Sequence, residues 1–140
     1  MMKQVDILLH TRQTAQGDAA DFSQRLSGTL QKTEDGLLLR YTETDENGLT
    51  TDNSFLFGKD SSLLRRSGSV RSEMRFLPGC DTIAPYHTFY GTFDFLLHTD
   101  YFRHTLCENG GKAMLRYTLS AQGSPVGEYT LKLHITEKDD

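Results

Sequence analysis

The side chains best placed to do chemistry here are polar groups at positions where an extended chain turns inward. Ser72 lies between Val70 and Met74, Asn53 two before Phe55, and Gln24 between Phe22 and Leu26. Tyr41, Tyr117 and Tyr129 fall on the same inward parity and would carry their hydroxyls into a shared interior. A buried polar group needs a partner, whether protein, water or ligand, so this pattern suits recognition of a small molecule. Tyr86 and Thr88 stand at a strand end, which places them at a mouth. The expected ligand set is therefore Tyr41, Ser72, Tyr86, Thr88, Tyr117 and Tyr129. Set against it is a core whose polar groups satisfy one another, with a few ordered waters.

Other chemistries find less support. His10, His98 and His134 fall on the wet parity, His87 and His104 near strand ends, and none has the close spacing of a metal site. No metal or other cofactor is expected. Cys80 and Cys107 stand alone, without a visible partner to stabilise a thiolate. Asp94 faces water, and Glu43, Asp45 and Glu46 lie in or near a turn, so no catalytic pair emerges. Neither a phosphate loop nor a nucleophile elbow is present. The reading leans away from an enzyme.

Arg65, Arg66, Arg71 and Arg75 form a basic cluster, with Phe76 alongside. Such a face could hold single-stranded nucleic acid by phosphate contact and base stacking. Glu73 interrupts it, and the chain has 19 acidic against 15 basic residues, so nucleic acid is disfavoured. Leu8, Leu38, Leu96 and Met114 occupy otherwise wet positions and suggest an outer patch for another protein or a second copy.

These residues must be positioned by strands. Alternation of apolar and polar residues marks 5–9, 37–42, 70–76, 92–97, 113–119 and 129–135, with further strands at 49–57 and 62–66. The segment 22–30 fits a strand better than a helix, because Gly28 and Thr29 weaken helical order. Asp35-Gly36 and Asn47-Gly48 are hairpin turns. The expectation is an all-β fold: a single antiparallel β-barrel of eight to ten strands, forming one domain over residues 1–140. With 140 residues, such a chain buries enough surface to fold without disulfide or metal. The longest pure apolar stretch, Leu37 to Leu39, is too short for a membrane span, and residues 1–6 hold no secretory run. A cytoplasmic protein with reduced thiols is expected.

Several short motifs follow one another in a characteristic order: Leu39-Arg40-Tyr41, Leu64 to Val70, Met74-Arg75-Phe76 with Pro78-Gly79, Tyr86 to Gly91, Leu115-Arg116-Tyr117, and Val126 to Tyr129. In this order they resemble the YwiB-like family of small bacterial proteins of unknown function. The resemblance spans nearly the whole chain. It implies a calycin or lipocalin-like barrel and carries over no catalytic residue. Phe89 stands where that family usually has proline after the threonine. The combined expectation is a non-enzymatic protein holding a small apolar or amphipathic ligand inside the barrel.

Overall fold

The structure, a computed structural model, describes residues 2–138. Ten strands follow in chain order: β1 (Met2–Ala15), β2 (Asp18–Thr33), β3 (Gly36–Thr44), β4 (Thr50–Phe57), β5 (Ser62–Gly68), β6 (Arg71–Phe76), β7 (Asp81–Thr88), β8 (Gly91–His104), β9 (Gly110–Ala121) and β10 (Ser124–Glu137). Each pairs antiparallel with the next, and β1 pairs with β10 to close the barrel. Closure covers much of the sheet edge that would otherwise invite aggregation.

The meander puts alternate connections at opposite poles. The β1–β2, β3–β4, β5–β6, β7–β8 and β9–β10 turns surround one pole. The remaining four connections surround the other, where Val5 pairs with Glu137. Segment 22–30 lies within β2, as the strand reading requires.

Strand β7 is an addition to the sequence reading, which places no strand at 81–88. Two features hide it: Pro85 interrupts the run, and Ile83 points outward, 61% exposed, while the small Ala84 points inward. Strand β8 also continues past 97 to His104. A bulge at Asp100 sets Thr99 opposite Tyr117 but Tyr101 opposite Arg116, so one residue is left over. Thr99 and Phe102 therefore both face inward, three residues apart, and the alternation breaks.

Ten strands enclose a wider interior than eight, so large side chains are needed to fill it. Leu and Phe supply that volume. At the pole holding the chain ends, Phe55, Phe57 and Phe76 are each at most 1% exposed and pack with Leu39, Leu97, Leu115 and Ile135. Burying one such side chain contributes about 1.5–3 kcal/mol. A column of rings runs up from this floor. Phe57 stacks on Phe55 at 4.3 Å, Phe76 lies 5.0 Å from Tyr117, and Tyr117 stacks on Tyr129 at 5.0 Å. Towards the opposite pole the apolar filling stops and the tyrosines begin.

Candidate functional site

The upper half of the interior is a cavity of about 350 Å³. Its walls come from nearly every part of the barrel. Leu9, Leu64, Met74, Leu119 and Leu131 form the apolar part. Tyr41, Tyr86, Tyr117 and Tyr129 supply the phenols. Gln24, Glu43 and Arg66, with Phe22, stand between this cavity and a wider vestibule beside the β3–β4 turn. The strand alternation explains the gathering: Tyr41 and Glu43 share a face of β3, and Leu64 and Arg66 share one of β5.

Four of the six expected ligand residues, all tyrosines, line one space. Tyr41 and Tyr117 are almost fully buried, and burial pushes both phenols well above the usual tyrosine range. Burial also raises Tyr86 and Tyr129. The charge of Arg66 opposes the rise at Tyr41, Tyr86 and Tyr117, which puts its guanidinium within electrostatic reach of all three. Tyr86 donates to Met74 Sδ at 3.3 Å, and Tyr129 accepts a long bond from Gln13 at 3.5 Å. Among the described residues, no hydrogen bond is made by the hydroxyls of Tyr41 or Tyr117.

Ser72 sits beside the cavity, paired in register with Arg66 on one side and Tyr86 on the other. Its Oγ is buried without a partner among the described residues. Thr88 is placed elsewhere. Its hydroxyl donates to Gly91 O at 3.1 Å and accepts from Tyr90 N at 3.2 Å, so it serves the β7–β8 hairpin and does not line the cavity. A threonine hydroxyl beside a tight turn commonly bonds the local backbone in this way.

Arg66 is the main correction. Its place in a surface cluster with Arg65 fails because neighbours in a strand face opposite ways. Arg65, Arg71 and Arg75 remain outside, and Glu73 lies 3.7 Å from Arg65 and 3.4 Å from Arg75. Arg66 turns inward and bonds Glu43 Oε1 at 3.0 Å through Nη2 and Asn53 Oδ1 at 3.1 Å through Nε. Glu43 also accepts from Asn53 Nδ2 at 3.0 Å and Gln24 Nε2 at 3.4 Å. Both Arg66 and Glu43 were missing from the expected site, although the inward parity of Leu64 and Tyr41 marks them.

The other groups are scattered. His98 binds Asp81 at 2.7 Å on the outer surface, and His10 contacts Ser23 and Asp21 there. His104 Nε2 donates to Gly58 O at 2.7 Å, while its Nδ1 accepts from Leu106 N. Both cysteines are free and exposed. No cluster of three or more potential metal-ligating side chains occurs among the described residues. Leu8, Leu38, Leu96 and Met114 face outward on four different strands, and Leu8 and Met114 share a groove.

A family model described as Domain of unknown function (DUF1934) matches residues 7–133. The chain belongs to this family. The crystal structure of the ywiB protein from Bacillus subtilis has the same fold, with a TM-score of 0.88. The match covers 99% of this chain and 94% of that one, at 18% sequence identity. No curated protein matches the sequence. The ten-stranded barrel is thus shared with a YwiB-like relative, while the chemistry of the DUF1934 cavity must be argued from its own side chains.

Proposed function

We propose that this barrel is a non-enzymatic binding protein, lipocalin-like in use, which holds a small apolar or amphipathic molecule in its upper half. One observation carries the reading: Leu and Phe side chains pack the interior towards one pole, and a cavity of about 350 Å³ lined by inward-facing side chains remains towards the other. Dedicated ligand cavities occupy a similar size range and combine apolar walls with a few polar groups. Leu9, Leu119 and Leu131 would bury the ligand body, the Tyr117–Tyr129 stack would accept a flat one, and the phenols would orient it.

The setting we favour is the cytoplasm. Free thiols suit it, and the outer face carries charge at mid-strand, as in the chain His98–Asp100–Arg116–Glu128. A lipid-facing strand needs an apolar band at that level. No helix among the described residues is long and apolar enough to cross a membrane.

Native mass spectrometry of protein purified from its own host tests the proposal. A reproducible small added mass, lost on denaturation, is the expected result. Protein that emerges bare and takes up no amphipathic compound on titration would refute it.

A second reading rests on the groove of about 470 Å³ between β1, β10 and β9, where Leu8 and Met114 lie beside His10 and Lys132. This groove suits a homodimer contact. Light scattering at high concentration tests it, and a strict monomer removes it.

A further inference from the structure

We propose that the molecule held in the upper cavity carries an acidic headgroup, a carboxylate or similar anion, which docks on Arg66 among the tyrosine hydroxyls. This inference rests on the cavity reading and narrows its ligand class.

Hydrogen-bonding capacity at the cavity mouth is unevenly taken up. Glu43 is the only carboxylate among the lining residues. Three donors already claim it: Arg66 Nη2, Asn53 Nδ2 and Gln24 Nε2. A carboxylate offers about four acceptor sites, so little remains for a ligand. Arg66 differs. A guanidinium has five donor hydrogens in a rigid fork, and here Nε serves Asn53 and Nη2 serves Glu43. Nη1 makes no hydrogen bond among the described residues, so its two hydrogens are uncommitted.

The surroundings lean the same way. Tyr41 and Tyr117 present hydroxyls without partners, and Tyr129 only accepts, so its own proton is free. The hydroxyls can donate or accept, so the sign of the preferred headgroup is set by Arg66, which can only donate and keeps Nη1 uncommitted, while Glu43 is largely occupied. An anionic ligand would complete these donors. Inside the cavity an ammonium ligand would meet a fixed positive charge and an occupied carboxylate; Asp45 and Glu46 line only the outer vestibule, where Asp45 already accepts from Asn47 N and Leu49 N.

The placement of Arg66 also distinguishes it from a surface ion pair. Its side chain is 31% exposed and that of Glu43 is 20%. Attraction at such a site is screened less than in open water. Glu43 and Asn53 hold the fork in position, so a docking anion need not order a loose side chain.

A series of three ligands tests the assignment by calorimetry: a naphthoate, the matching naphthylmethanol, and the matching naphthylmethylammonium. They share an aromatic body and differ in the head. With the unaltered protein, the acid should bind about tenfold or more tighter than the alcohol, with the ammonium weakest. Arg66→Gln should erase the advantage of the acid, read as the ratio of acid to alcohol affinity within the variant. Glu43→Gln, which removes the competing charge, should strengthen the acid. Equal affinity for the three heads, or preference for the ammonium, would overturn the anion assignment and leave the cavity reading standing. Failure of all three to bind would overturn both. The comparison on the unaltered protein decides the matter even where a variant does not fold.

Discussion

Tyr41 and Tyr117 are the titratable side chains whose ionisation burial displaces furthest from its ordinary value. Their phenols stay protonated in the folded barrel beyond 10.0, the ordinary tyrosine value, because burial penalises the phenolate. The unfolded chain ionises near that value. The sign of the linkage follows: the folded state holds its protons more tightly, so stability is level below pH 10.0 and falls as pH rises above it. Denaturant titrations at stepped alkaline pH should show this fall, accompanied by a late rise in phenolate absorbance that coincides with unfolding. Tyr41→Phe should lessen the fall. At the floor, Phe76→Ala should cost about 3–5 kcal/mol in the same denaturation assay. Ser72→Ala should cost under about 1 kcal/mol or stabilise, because it removes a buried hydroxyl that has no partner. Alternation marks Tyr41, Tyr117 and Tyr129 as inward-facing, whereas Tyr86 is placed only by its position at a strand end. Arg66 was obscured by its neighbour: four arginines close in sequence read as one patch, yet one step along a strand reverses the side chain.

At the scale of elements, legibility depended on regularity. Strands β9 and β10 alternate cleanly over 113–119 and 129–135, the stretches legible in the sequence, while the start of β10 at Ser124 and its register shift between Pro125 and Gly127 carry no such signal. Strand β7 was lost because its inward side is served by Ala84 and its outward side by Ile83, which reverses the usual apolar signal. The bulge at Asp100 has no turn residue to announce it, and it alone brings Thr99 and Phe102 to one side. Strand β2 shows a different constraint. Only its stretch from Gly28 to Thr33 pairs with β3, while the part from Asp18 to Ser27 pairs with β1 alone. Gly28 sits where the two strands part. A Cβ there would lie 2.3 Å from Arg40 O, a backbone atom that cannot swing aside. Gly28→Ala should therefore destabilise by about 1–3 kcal/mol in equilibrium denaturation. Gly127 serves the site itself. A Cβ at this position would lie 3.1 Å from the Tyr129 hydroxyl, so Gly127→Ala should shift that phenol and weaken binding in the upper cavity.

Taken whole, the molecule divides its interior between stability and vacancy. The aromatic floor lets the upper half remain open, since a barrel emptied along its full length would lose the packing that holds it closed. A ligand confined to the open half should therefore add to stability without remaking the fold. At about a hundred times its dissociation constant, such a compound should stabilise the folded state by about 2.7 kcal/mol, read as a rise in the thermal midpoint. Whether the interior was hollow or packed could not be read from the sequence, because alternation gives the facing of a side chain and says nothing of its reach across ten strands.

Met2 and Lys138 both lie at the packed pole, opposite the vestibule, since the first and last strands run side by side. A tag or surface tether added at either end would leave the entrance unobstructed. Immobilised protein would present its opening to the surrounding solution, a favourable orientation for fishing ligands from a cell extract.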